Sequence, residues 1–83
     1  MPTKKVDEEA VREVVEKYVE AINKLDFETA YEYARRLEAM VSFSPYLVKL
    51  VRVIHSMAIT GQNSIMDDLL EVLMYVISLI NLR

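Results

Sequence analysis

The chain has 83 residues, 53% of them hydrophobic, 10 Lys and Arg against 13 Asp and Glu, a single His and no Cys. That length makes one domain, expected to span residues 1–83 and to bury only about 60–65% of its unfolded surface. The missing cysteine excludes disulfides, thiolate metal sites and thiol nucleophiles, and the net charge of −3 argues against a nucleic-acid partner, whose phosphates need clustered Lys and Arg.

Four helices are expected in order, over residues 7–24, 26–42, 45–60 and 64–82. In the first, Val11, Val14, Val15, Tyr18, Ile22 and Leu25 recur at steps of three and four and so share one face. Asp7 is its natural N-cap, with Glu8 and Glu9 at the positive end of the helix dipole. Asp26 caps the second, whose stripe is Phe27, Ala30, Tyr31, Ala34, Leu37 and Val41. Ser44-Pro45 starts the third, since serine caps and proline at the first helical position loses no hydrogen bond, and Phe43 is placed to staple onto Val48. Gly61 supplies its left-handed ending. Ser64, with Asp67 three residues on, is expected to open the fourth as a short capping box.

Asp7 and Ser44 lie 37 residues apart, and a shift of 37 aligns Val11 with Val48, Arg12 with Lys49, Val14 with Val51, Ala21 with Ala58 and Ile22 with Ile59. One helix-turn-helix unit used twice gives that pattern. The expected fold is therefore all-α, four helices as two stacked helix-turn-helix hairpins, either a short αα-solenoid or a four-helix bundle. With its strict capping, Glu/Lys-rich first half and the opening Ser44, Pro45, Leu47, Val48, Lys49 and Leu50, the chain resembles computationally designed helical repeat proteins of the tetratricopeptide-like type. The Trp-Leu-Gly-Tyr framework of natural tetratricopeptide repeats is absent, so the resemblance implies a scaffold and no catalytic residue.

The two halves differ in polarity. Residues 1–41 carry seven Lys/Arg and ten Asp/Glu, whereas residues 42–83 carry three of each. In the third helix Lys49, Arg52, Ser56 and Thr60 fall within about 80° of arc, and in the fourth Asp67, Asp68, Glu71, Ser78 and Asn81 within about 140°, which leaves both mostly apolar in girth. A monomer of four helices cannot enclose two such helices fully, so a homodimer is expected, with Leu47, Leu50, Val51, Ile54, Ala58, Leu69, Leu73, Val76, Ile77 and Ile80 at its interface. An apolar protein partner on the same face is the competing occupant.

Catalysis is not expected. His55 and Ser56 are adjacent and diverge by about 100° on a helix, and Asp67 and Asp68 diverge in the same way at a helix start, where acids compensate the dipole. Lone Gly61 cannot build a phosphate-cradling loop, and scattered carboxylates with one His do not make a zinc or di-iron site. No cofactor is required, but His55 interrupts the pattern of its helix. A half-buried, hydrogen-bonded imidazole is one reading. The other is axial ligation of a haem or chlorophyll-type metal in an apolar pocket at the dimer interface, with Val51, Ser56, Met57, Ala58 and Ile59 beside the macrocycle, which supplies four ligands of its own so that one imidazole suffices. The longest uncharged run of the last helix, Val72 to Leu82, is too short to span a membrane, and the first residues lack an apolar leader, so a soluble, cytoplasmically expressed protein is expected.

Overall fold

The computed structural model describes residues 6–82, and all regular structure among them is helical. Helices α1 (Glu8–Asn23), α2 (Phe27–Met40), α3 (Pro45–Ile59) and α4 (Asn63–Asn81) form within one or two residues of the expected bounds. Asp7 accepts from the amides of Glu9 and Ala10, Asp26 from Thr29, and Ser44 from Leu47, so three of the four caps follow from short polar side chains next to apolar runs. The fourth differs from expectation. Helix α4 begins at Asn63 with Gln62 as N-cap and no side-chain capping bond, so Ser64 and Asp67 form no capping box.

Consecutive helices pack against each other, and α4 packs back against α1, which closes the ring as an antiparallel bundle rather than an open solenoid. The clasp is specific. The Asn81 side chain accepts from the Val6 amide at 3.2 Å and donates to the Val6 carbonyl at 2.8 Å and to Glu8 Oε1 at 3.2 Å, tying the end of α4 to the start of α1. Two hairpins, α1–α2 and α3–α4, thus form two layers around one core.

Burial recurs at 36 residues, not 37. Buried Val11, Tyr18, Ile22, Ala30, Ala34, Leu37 and Val41 map onto buried Leu47, Ile54, Ala58, Met66, Leu70, Leu73 and Ile77, with half-buried Val15 opposite buried Val51. The shift of 37 instead pairs buried Ile22 with Ile59, which is 52% exposed. Its identities arise because α3 starts 37 residues after α1, whereas α4 starts 36 after α2. The hairpin turns share the 36-residue register. After α1 the amide of Leu25 donates to Ile22 and that of Asp26 to Ala21; after α3 the amide of Gly61 donates to Ala58 and that of Gln62 to Met57. Each is a Schellman ending whose pivot has positive φ, +60° at Leu25 and +79° at Gly61. Leu25, expected on the apolar stripe of α1, is that pivot and is 72% exposed.

Candidate functional site

Two places carry chemistry or recognition: the His55 cluster between the helices, and the outer face of the α3–α4 hairpin. His55 lies on the flank of α3 that faces α2, together with Arg52, whose Nε donates to Glu38 Oε1 at 3.3 Å. Its Nδ1 sits 2.8 Å from the hydroxyl of Tyr18, a buried side chain on α1, so the contact crosses the bundle diagonally. Burial raises the Tyr18 phenol far above its usual range. Burial also lowers the His55 pKa below 6.5, an effect the negative charge of Glu38 partly offsets. Both groups are therefore neutral near pH 7, and the assignment that satisfies them has Tyr18 donating to an unprotonated Nδ1, with the imidazole proton on Nε2. The Tyr31 ring stands 6.1 Å from the imidazole, and its hydroxyl accepts from Arg35 at 3.0 Å.

His55, Tyr31, Ala34, Arg35, Glu38 and Arg52 line an open groove of about 440 Å³. The neighbours expected to seat a macrocycle beside His55 are not brought together there. Val51 and Ala58 are buried in the core, Ser56 and Ile59 are exposed, and Met57 is half-buried on the α4 side of the helix. Successive residues step by about 100°, so residues 56–59 encircle α3 instead of forming a wall. An axial bond from His55 would have to come from Nε2, since Nδ1 is occupied, and would move the imidazole proton onto Nδ1 and turn the Tyr18 hydroxyl into an acceptor. Among the described residues, the groove's uncharged lining besides His55 is Ala34 and the Tyr31 ring.

The second place follows from the same helical register. Because Arg52 and His55 turn toward α2, and Asn81 toward α1, the opposite flanks of α3 and α4 face their shared hairpin groove. On α3 that flank holds Tyr46, Leu50, Val53 and Met57; on α4 it holds Ile65, Leu69, Val72, Val76 and Leu79, all at alternating steps of four and three. Leu50, Met57, Leu69 and Val76 are half-buried against the core, while Val53 (37%), Ile65 (45%), Val72 (47%), Leu79 (45%) and Tyr46 (85%) are exposed.

This corrects the expected interface. Leu47, Val51, Ile54, Ala58, Leu73 and Ile77 are buried within the chain's own core and are not available to a partner; of the ten residues, Leu50, Leu69, Val76 and Ile80 keep partial exposure. Sequence reasoning missed Tyr46, Val53, Ile65, Val72 and Leu79, although their spacing was readable. Helix α4 carries two apolar stripes one residue out of step, and composition does not say which turns inward. No helix among the described residues is long and apolar enough to cross a membrane. No protein-family model matches the chain, and no curated protein or solved structure matches it.

Proposed function

We propose that this chain is a non-catalytic, self-associating helical scaffold that forms a homodimer through the outer face of α3 and α4. The observation that carries the reading is the pair of uncharged seams, Tyr46–Leu50–Val53–Met57 and Ile65–Leu69–Val72–Val76–Leu79, left uncovered by the bundle. Spacing of four and three is the pattern by which helices interlock side chains into one another's gaps. The face runs about 16 Å along α3 and about 21 Å along α4 and is two helices wide, on the order of 400 Å² in projection. A patch of that size matches the largest apolar patch of an ordinary monomer, which is often an interaction site. That is about half of the roughly 800 Å² per partner buried in a standard interface, the scale of a weak, concentration-dependent association.

The recurrence of turn and burial pattern at 36 residues supports a two-repeat scaffold of the designed-repeat kind. The groove at His55 is lined by Arg35, Glu38 and Arg52, which favours reading the imidazole as a packing residue over an axial ligand. Sedimentation equilibrium tests the proposal. A homodimer gives a mass rising with concentration to twice the 9.6 kDa of the chain. A chain that stays at 9.6 kDa up to millimolar concentration removes the reading and leaves the face to an apolar partner of another kind.

A further inference from the structure

The two hairpins occupy equivalent places in the bundle, yet their outer seams are made differently. The groove between α1 and α2 is lined by Glu13, Val14, Lys17, Tyr33 and Arg36, with the Arg36 guanidinium 5.2 Å from the centre of the Tyr33 ring. Moved on by 36 residues, exposed Lys17 falls on Val53 and exposed Arg36 on Val72. These are the middle positions of the two seams. Where the second hairpin offers two valines, the first places two cations.

We infer, resting on the self-association proposed above, that assembly closes at two copies because Lys17 and Arg36 block the outer seam of the first hairpin. The α3–α4 hairpin already packs one layer, α1–α2, against its inner stripes. Its outer seams repeat the same spacing, so what fits them is a second uncharged hairpin face of equal length. The chain supplies one such face. Tyr46 to Met57 on α3 and Ile65 to Leu79 on α4 keep the heptad spacing, so two copies laid face to face interlock along most of their length. The result is four layers with α3–α4 of both copies inside and α1–α2 outermost. Growth by a further layer would press the charged groove of Glu13, Lys17 and Arg36 against apolar side chains, and the desolvation of those charges opposes it. Stacked helical repeats need such polar end surfaces to remain finite.

Sedimentation equilibrium and light scattering on the full chain and two charge-transfer variants test this. The parent is expected to reach a dimer and no larger species. V53K/V72R, which copies the first hairpin's cations onto the second, is expected to be a monomer with unchanged helical circular dichroism. K17V/R36V, which copies the valines onto the first, is expected to pass beyond the dimer, with a mass that keeps rising with concentration. A parent that is monomeric throughout overturns the self-association reading and this inference with it. A V53K/V72R variant that still dimerises overturns the assignment of the face. A dimeric parent, a monomeric V53K/V72R and a K17V/R36V that stops at two copies overturn the closure inference alone. If K17V/R36V loses its helical signal, R36V by itself is the variant to read, with the same expected growth and the same contradicting result.

Discussion

Leu25 occupies a backbone position that suits glycine. At φ +60° its Cβ crowds the following carbonyl, a conformation costing roughly 1–2 kcal/mol for a residue with a side chain. Its exposed side chain recovers little of that by burial. Gly61, the equivalent pivot of the second hairpin, has open space where a Cβ would stand, so conformation rather than crowding decides there. Leu25→Gly is therefore expected to stabilise the fold by about 0.5–1 kcal/mol after the added flexibility of the unfolded chain is counted, and Gly61→Leu to destabilise it by about 1 kcal/mol. Urea denaturation of the two variants checks both signs. The Tyr18–His55 bond gives a pH dependence of known direction. Burial lowers the folded pKa of His55 below the 6.5 of the unfolded chain, so its contribution is complete above pH 6.5 and is lost as acidification passes through the folded value. Stability measured from pH 8 to pH 4.5 should fall across that window more steeply in the parent than in His55→Phe. Equal slopes would show that the imidazole does not titrate in the way its burial dictates.

Among the elements, α4 alone starts without a side-chain cap, although Gln62 stands 36 residues after Asp26, whose carboxylate accepts from Thr29 three residues on. Gln62→Asp is expected to recreate that bond to the Ile65 amide and add a favourable charge at the helix dipole, raising stability by about 0.5–1 kcal/mol in thermal unfolding. An unchanged or lowered midpoint would mean that the turn at Gln62, with ψ of 63°, holds an aspartate away from the amide. How far such elements were legible depends on the range of the interaction. Asp7, Asp26, Ser44-Pro45 and Gly61 act within a few residues, and their helices and turns were readable from the sequence. Leu25 as a left-handed pivot was not, because its apolar character placed it on the stripe of α1. The Asn81 clasp joins residues 75 apart and the Tyr18–His55 bond joins residues 37 apart, so no local pattern announced either. The apolar surplus of the second half was legible in composition. Its division between core and surface was not, since Ile65, Leu69, Val72 and Val76 sit one residue before Met66, Leu70, Leu73 and Ile77, and both sets are apolar at identical spacing.

At the scale of the molecule, one bundle satisfies its interior and leaves one side unfinished. Among the described residues no buried side-chain polar atom lacks a partner, and the core runs continuously through all four helices. The first hairpin exposes Leu25, Phe27 and Tyr31 among many charged side chains, whereas the second, with few charges, presents Val53, Ile65, Val72 and Leu79. Covering those side chains removes apolar area from water at about 25 cal/mol per Å², offset by the loss of overall freedom when two chains associate. We propose that a second copy covers this face. This is tested most directly by the mass of Val72→Lys beside the parent in sedimentation equilibrium, because Val72 lies at the middle of the α4 seam and outside the core. The parent should reach twice the chain mass and a folded Val72→Lys should remain at the single-chain mass over the same concentrations; equal masses for the two proteins would contradict the dimer.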